Sequence, residues 1–145
     1  MLRSPCNSEE DIHSGFDWFL NKEDRAYVIV HKEAGEVIGN LTVYDKVPPE
    51  VTQQEAVAGK AGKSLSFAMS PAWQRRGLML EAVHAVIDHL FSQENTDYIH
   101  CGYLSYNVPS KMLQEKLGFQ EIFTERFFLD GREIEAVENV LRKTP

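Results

Sequence analysis

Hydrophobic and polar positions form their clearest pattern in the segment Ser64–Leu90, near the middle of the chain. Leu65, Phe67 and Met69 alternate with small residues, which predicts a strand with one packed face and one face that admits a close neighbour. From residue 79 apolar side chains recur every three or four positions, as on one face of an amphipathic helix. The pattern therefore predicts a strand, a loop and a long helix that begins near Gly77.

Further segments with strand or helix patterns lie on both sides of this unit. They are, in chain order, a helix at Ser8–Leu20, strands at Ala26–His31 and Val37–Tyr44, a loop from Pro48 to Gly62, a strand at Tyr98–Leu104, a helix that starts at Asn107 or Val108 and stops before Gly118, and strands at Gln120–Leu129 and Arg132–Leu141. Asp130-Gly131 is a typical turn between hairpin strands. Helices alternating with strands and hairpins indicate an α/β fold.

The start of the long helix has the features of an anion site. The first four backbone N–H groups of a helix have no partner within it, and the helix dipole adds roughly half a positive charge there. Arg75 and Arg76 stand at the same end, where cations oppose the dipole unless an anion lies among them. A bound phosphate would reconcile these charges. The alternative is that both arginines are solvated and that Gly77 only permits a tight turn.

Composition limits the classes of protein to which the chain can belong. Its 145 residues, 43% of them hydrophobic, predict a single domain over residues 1–145. The net charge of -7 argues against a nucleic-acid partner and favours attraction of a cationic substrate. Cys6 and Cys101 lack the spacing of a disulfide framework or zinc site, so no metal is expected. Without a secretory signal or a stretch of about 18 apolar residues, we expect a cytoplasmic protein with no membrane partner.

A short segment imitates a nucleotide-binding loop. Gly59–Ser64 matches the end of the motif G-x-x-x-x-G-K-[ST], but the first glycine of the motif would fall on Val57. A strand is predicted after the segment, whereas the motif requires a helix there. We therefore interpret Lys60 and Lys63 as solvated loop residues and do not expect a nucleoside triphosphatase.

Two motifs resemble those of a known family, in the same order and structural context. Gln74–Met79 resembles the Q/R-x-x-G-x-G/A loop with which GNAT acyltransferases hold the pyrophosphate of acetyl-CoA. Asn107–Ser110, followed by Glu115–Phe119, resembles the N-x-x-S and E-K-L-G-F pattern of members similar to the ribosomal-protein alanine N-acetyltransferases. The resemblance covers about Ala26–Lys143. It implies a mixed, partly splayed sheet flanked by helices, with a gap that admits the pantetheine arm.

The resemblance also implies which residues hold the cosubstrate acetyl-CoA. The backbone N–H groups of Ala68 and Met69 would bind it and polarise the acetyl carbonyl. Met79 stands where the family usually has Gly or Ala, so it would contribute its backbone N–H and turn its side chain into the core. The full implied set is Ala68, Met69, Gln74, Arg75, Arg76, Gly77, Leu78, Met79, Asn107 and Ser110.

The implied reaction is attack of an amine on the acetyl thioester, after loss of a proton from an ammonium group of pKa ~10.4. Ser110 matches the family serine near the departing sulfur and would donate to the thiolate; the alternative is a bond to its own backbone at the helix start. Tyr103 is a second candidate acid, with Tyr106 close by. Histidine has an intrinsic pKa suited to a base, which makes His100 a candidate. Ser64 stands where relatives often carry a glutamate.

The N-terminus departs from the family pattern, because too few residues precede the predicted helix Ser8–Leu20 for the usual first strand and helix. The strand Ala26–His31 would then be an edge with unpaired backbone groups, which a homodimer would cover. We expect an acetyl-CoA-dependent N-acetyltransferase that acts on a primary amine of a protein N-terminus or small molecule. The alternative is a non-catalytic acyl-CoA-binding module.

Overall fold

A mixed six-stranded sheet forms the centre of the structure, a computed structural model that describes residues 25–144. The elements in chain order are β1 (Arg25–His31), β2 (Glu36–Tyr44), α1 (Pro49–Thr52), β3 (Gly62–Met69), α2 (Leu78–Gln93), β4 (Tyr98–Leu104), α3 (Val108–Leu117), β5 (Gln120–Leu129) and β6 (Arg132–Arg142). The strands lie in the order β1-β2-β3-β4-β6-β5. β3 and β4 are parallel, and the other neighbouring pairs are antiparallel. The predicted α/β class with a mixed sheet is confirmed.

The sheet splays apart between its two parallel strands. β3 and β4 are paired only where Gly62–Ser64 lie beside Tyr98–His100. Beyond Ser64, β3 remains paired with β2 as far as Met69, and β4 remains paired with β6 as far as Leu104. Each strand is therefore held from its outer side while a gap opens between them, as predicted.

Helices α2 and α3 cover one face of the sheet. The core on this face consists of Leu41, Val43, Leu65, Met79, Val83, Ile87, Leu90, Ile99, Cys101 and Phe119. A smaller cluster of Val51, Val57, Tyr98 and Val140 forms separately. It lies on the opposite face, because Tyr98 and Val140 are sequence neighbours of core residues in their strands and successive strand side chains alternate in direction.

Most element boundaries agree with the sequence prediction. The strands β1, β2, β4, β5 and β6 begin and end within one residue of their predicted limits, and α2 begins at Leu78. Asn107 caps α3, and Gly118 ends it with a left-handed φ of 93°. Asp130 and Gly131 both have the positive φ that a tight hairpin turn requires. The predicted helix Ser8–Leu20, like Cys6, lies outside the described residues.

Two predictions about the segment before β3 are wrong. The predicted loop from Pro48 to Gly62 contains α1 and a 3-10 turn, whose valines at positions 51 and 57 are buried. Helices this short show no periodic pattern of apolar residues in the sequence. The prediction therefore followed the Pro and Gly residues, which indicate a loop. Lys63 belongs to β3 rather than to a solvated loop, and its Nζ lies 3.1 Å from Asp45 Oδ1.

Four charged side chains form a network where β3 begins. Arg25 donates to Glu94 Oε2 at 2.5 Å and to Asp45 Oδ1 at 3.1 Å. Lys63 Nζ donates to the same Asp45 oxygen. The hydrogen bond from Arg25 lowers the pKa of Glu94, and the hydrogen bond from Lys63 lowers the pKa of Asp45. This corner of the molecule is thus held together by side-chain charges.

β1 is the terminal strand on one side of the described sheet. Its Val28 and Val30 side chains are exposed, as is Val37 at the start of β2. Within residues 25–144, no helix is both long and apolar enough to cross a bilayer.

Candidate active site

The loop between β3 and α2 is held in shape by backbone geometry and by one side-chain amide. After Met69 the chain makes a 3-10 turn at Pro71–Trp73, and Gln74 then returns in an extended conformation. The Gln74 Nε2 atom donates to the Met69 carbonyl at 3.0 Å, which ties the loop to the end of β3. Arg75 adopts a left-handed φ of 66°, unusual for a residue with a side chain. The loop is therefore bent back over the strand it leaves.

Arg76 is positioned by an aromatic neighbour. Its guanidinium carbon lies 4.9 Å from the centre of the Trp73 ring, a cation–π geometry. Trp73 also contacts His31, with ring centres 4.6 Å apart. Because His31 ends β1, this stack connects the loop to the far edge of the sheet. It places a positive charge at the N-terminal end of α2.

Gly77 caps α2 in a left-handed conformation with φ 74° and without a side-chain cap. No heavy atom lies within 4 Å of the point where a Cβ would stand on this residue. The surface at Gly77 is therefore unobstructed beside Arg75 and Arg76, at the helix end whose first N–H groups have no partner within the helix. An open backbone surface with adjacent positive charge has the chemistry to hold a pyrophosphate. The Met79 side chain is buried in the core, as predicted, and leaves this surface clear.

On the sheet face opposite the helices, β3 carries small side chains, as the alternation of its residues predicted. Leu65 belongs to the core on the helix face, and Phe67 and Met69 pack against it. Ser66 and Ala68 point the other way, and the Ser66 hydroxyl lies 3.2 Å from Tyr44 Oη. Beyond Ser64 the backbone groups of β3 that point toward β4 have no strand partner. They include positions from which an N–H group can be offered to a ligand in the gap.

The start of α3 joins a buried chain of amides. Asn107 Oδ1 accepts from the Ser110 backbone N–H at 3.3 Å, so Asn107 fills the capping role. The Ser110 hydroxyl accepts from Gln114 Nε2 at 3.1 Å. Gln114 also donates to the Gly102 carbonyl at 3.2 Å and accepts from Asn139 Nδ2 at 2.8 Å. The Ser110 oxygen is therefore fixed as an acceptor, and its proton can be donated elsewhere.

The two tyrosines proposed as acids differ in position. Tyr103 pairs with Val137 on the face of the sheet that α3 covers. Burial, with added repulsion from Glu121, Glu115 and Glu135, raises the pKa of Tyr103, which makes it a weaker proton donor. Tyr106 is 65% exposed in the turn before α3.

A third group of polar residues was not predicted as a unit. Ser64 Oγ lies 2.8 Å from His100 Nδ1, and His100 Nε2 contacts Glu138 Oε2. These residues lie on β3, β4 and β6, so only the strand register brings them together. The one signal in the sequence was Gly102, because an isolated glycine within a strand marks a close approach. In the described part of the chain, no cluster of His, Cys, Asp and Glu is arranged to hold a metal ion.

Residues 3–120 match the family model described as an acetyltransferase (GNAT) domain. The chain belongs to the GNAT family. As a GNAT protein it is an acetyl-CoA-dependent N-acetyltransferase, since the members of this family transfer the acetyl group of acetyl-CoA to an amine. No curated protein sequence matches the chain closely enough to count as a relative.

Solved structures with the GNAT fold resemble the whole described sheet. An acetyltransferase of the GNAT family from Bacillus anthracis has a TM-score of 0.75 at 13% identity, covering 93% of this chain and 75% of its own. A ribosomal-protein-S5-alanine acetyltransferase from Vibrio fischeri has a TM-score of 0.69 at 17% identity, with coverages of 96% and 77%. A chimera of a Vibrio cholerae spermidine N-acetyltransferase has a TM-score of 0.69 at 16% identity, with coverages of 95% and 78%. At such identities the likeness concerns the fold.

Proposed function

We propose that this GNAT enzyme acetylates a primary amine that is carried by a small molecule or by a protein N-terminus. The observation that carries the proposal is the gap between β3 and β4, which opens beyond Ser64 and has the loop Gln74–Met79 next to its open end. A thioester in this gap would be reached by an amine from the sheet face opposite α2. That face carries the small side chains of Ser66 and Ala68, which leave room for the amine.

Different residues around the gap would hold the pyrophosphate and the acetyl end of acetyl-CoA. Backbone N–H groups of Gly77, Leu78 and Met79, with Arg75 and Arg76, would hold the pyrophosphate. The N–H group of Met69 would bind the acetyl end and polarise its carbonyl. The Ala68 N–H group points toward β2, as does that of Ser70 two residues later, which donates to the Ile38 carbonyl. Acetyl-CoA, when bound, supplies an acetyl group activated as a thioester.

Ser110 is the proposed proton donor to the departing sulfur. Asn107 fills the capping role at the start of α3, so the Ser110 hydroxyl is not needed there. Gln114 donates to the Ser110 oxygen, which leaves the hydroxyl proton of Ser110 free to be donated. Tyr103 is the second choice, because its raised pKa opposes proton loss.

The proposed acceptor is cationic before it reacts. An alkyl amine with pKa ~10.4 is an ammonium ion at neutral pH, and a protein with a net charge of -7 attracts such ions. Two of the structurally similar proteins are named as acetyltransferases of a ribosomal-protein alanine and of spermidine.

Thiol release from acetyl-CoA tests the proposal. The purified protein is given acetyl-CoA and, in turn, peptides with a free N-terminal alanine, polyamines and amino sugars, and mass spectrometry identifies the product. We expect saturable thiol release and an acetylated product with one of these classes. Binding of acetyl-CoA without release above the solvent rate for every class would favour a non-catalytic acyl-CoA-binding module instead.

We also propose that the enzyme is a cytoplasmic homodimer in which a second copy covers β1. The support is the terminal position of β1 in the described sheet and the exposed Val28 and Val30. Light scattering at micromolar concentration is expected to give twice the mass of one chain, and the mass of a single chain would contradict the dimer.

A further inference from the structure

The most developed feature outside the acetyl-CoA loop is the chain of three polar side chains, Ser64, His100 and Glu138, at the closed end of the gap. Ser64 and His100 are the last residues paired between β3 and β4, so they mark the point where the strands separate. The side chains of His100 and Glu138 are only 10% and 17% exposed. Polar groups are rarely buried so far without a partner or a task.

The fold makes room for Glu138 in a specific way. Glu138 stands opposite Gly102 in the β4–β6 ladder, and its side chain extends across β4. A Cβ on Gly102 would lie 2.7 Å from Glu138 Oε2, closer than real Cβ atoms come. Glycine weakens a strand interior, so its presence here has a cost that only the close approach of the carboxylate explains.

The proton positions follow from the chemistry of the three groups. An ionised carboxylate only accepts hydrogen bonds. With Glu138 ionised, His100 Nε2 therefore carries a proton and donates a hydrogen bond to Glu138 Oε2. In a neutral imidazole the other nitrogen is then an acceptor, and Ser64 donates to His100 Nδ1. Glu138 Oε1 keeps its capacity to accept a further proton.

The carboxylate lies beside the open part of the gap. Gly102 follows His100, the last paired residue of β4, by two residues in the direction in which the strands separate. Glu138 stands opposite Gly102, on the same sheet face as Ser66 and Ala68. An amine that reaches the gap from this face would approach on the side of the carboxylate, and a water molecule can bridge polar groups that are too far apart for a direct hydrogen bond.

We propose that Glu138 accepts the proton which the acceptor ammonium must lose, and that His100 is the positioning residue that holds Glu138 above Gly102. This inference rests on the proposed function. An N–H bond of the ammonium breaks, its electron pair stays on nitrogen, and the proton passes through one water to Glu138 Oε1. Glu138 later releases the proton to solvent. The amine thereby gains the lone pair with which it attacks.

Other titratable groups near these three residues lie on β2 and β4. From β2, Tyr44 lies next to Ser66, and from β5 the residue opposite Glu138 is Phe123, which does not titrate. Within β4, burial raises the pKa of Tyr98, and burial together with Glu138 raises the pKa of the Cys101 thiol to about 12. Among these groups Glu138 is the carboxylate, and it contacts His100 directly.

Three variants test the inference in the full chain with acetyl-CoA and the best amine. Glu138→Gln removes the base, Gly102→Ala displaces the carboxylate while keeping it, and the matched control Glu125→Gln neutralises an exposed carboxylate on β5. At pH 7 we expect turnover to fall about 100-fold in Glu138→Gln, less in Gly102→Ala and not in the control. The deficit should shrink as the pH rises toward the pKa of the acceptor ammonium, ~10.4 for an alkyl amine and ~8 for a protein N-terminus, where the amine no longer needs a base.

A second measurement needs no turnover. Nitrogen-15 spectra of the acetyl-CoA-free protein are expected to show the neutral His100 ring protonated at Nε2 in the parent and in Glu125→Gln. In Gly102→Ala this preference should be lost, because the carboxylate no longer accepts from Nε2.

The outcomes separate the two proposals. Full turnover of Glu138→Gln at pH 7, or a deficit that is equal at every pH, would show that Glu138 is structural, while the proposed acetyl transfer would stand. A parent that binds acetyl-CoA but acetylates no amine would overturn the proposed function and this inference with it.

Discussion

The two ends of the β3–β4 gap differ in the chemical groups that they present, which are backbone groups at one end and side chains at the other. At the open end the loop Gln74–Met79 offers backbone N–H groups, a glycine with φ 74° and open space. At the closed end, side chains from separate strands meet: Ser64, His100 and Glu138 on the face opposite α2, with the network of Arg25, Asp45, Lys63 and Glu94 at the same end of β3.

This difference matches two chemical demands. A pyrophosphate can be held by backbone groups, which every residue possesses, provided that no side chain obstructs them. Proton transfer requires particular side chains at particular distances. Ser110 belongs with the second class although it lies on α3, since its proposed role depends on its hydroxyl.

Removing the Ser110 hydroxyl should give the largest effect among the tests of this contrast. We expect Ser110→Ala to turn over about 100-fold more slowly, with acetyl-CoA affinity nearly unchanged, because the hydroxyl bonds the thiolate only as it departs. Ser110→Thr keeps a hydroxyl and is expected to retain most turnover. Steady-state rates under conditions where chemistry limits the reaction provide the measurement. If Ser110→Ala is as fast as the parent, Ser110 only supports the helix start and Tyr103 becomes the next candidate.

Ligand-induced stabilisation tests the open end directly. At 100 times its dissociation constant, acetyl-CoA should stabilise the fold by about 2.7 kcal/mol through mass action. ATP with magnesium should not, because Lys63 and Ser64 lie in β3 rather than in a phosphate loop. Thermal melting with each ligand is the measurement. Stabilisation by ATP but not by acetyl-CoA would contradict the assignment of the loop Gln74–Met79 as the phosphate-binding site and would favour the segment Gly59–Ser64 instead.

The sequence revealed the open end and missed most of the closed end for the same physical reason. Gly77 and the arginines before it act within one short segment, so their spacing along the chain is their spacing in space. Ser64, His100 and Glu138 are 36 and 38 residues apart, and only the strand register brings them together. His100 was recognised as a candidate base from its residue type alone.

The strand boundaries were predictable from alternation, but the register was not. Alternation identifies which face a residue occupies, and it correctly put Ser66 and Ala68 opposite the core. It does not specify which residue of β6 lies beside Gly102. For that reason Glu138 could not be assigned before the ladder was known.

Gly77→Val tests whether the open end acts through unobstructed backbone. Gly35→Val is a matched control, since Gly35 has φ 68° and equally open surroundings but lies in the β1–β2 turn. A side chain at such a φ costs roughly 1–2 kcal/mol, so both variants should lose similar stability. Only Gly77→Val should weaken acetyl-CoA binding, by about tenfold or more, or about 1.4 kcal/mol. Calorimetric titration measures this, and equal affinity of the two variants would remove Gly77 from the site.

The smallest expected effect concerns the charges of the closed end. Arg25 lowers the pKa of Glu94 and contributes to the lowered pKa of Asp45. A carboxylate whose pKa is lower in the folded state stabilises the fold above its ordinary pKa, and that stability is lost as the pH falls through the folded pKa. The contribution is small, about 0.5–1 kcal/mol, because these side chains are partly exposed and screened by solvent.

Arg25→Gln therefore should be less stable than the parent at pH 6, and the difference should disappear as the pH falls below about 4, the ordinary range of carboxyl groups. The control Arg132→Gln removes an exposed arginine at the start of β6 and should show little difference at either pH. Urea unfolding at pH 6 and below about pH 4 measures the free energy of unfolding of each variant. A deficit of Arg25→Gln that persists unchanged in acid would mean that the arginine acts through packing of its alkyl stem rather than through its charge. In that case the closed end would owe less to its ion pairs than its geometry indicates, and the contrast between the two ends would rest on Ser64, His100 and Glu138 alone.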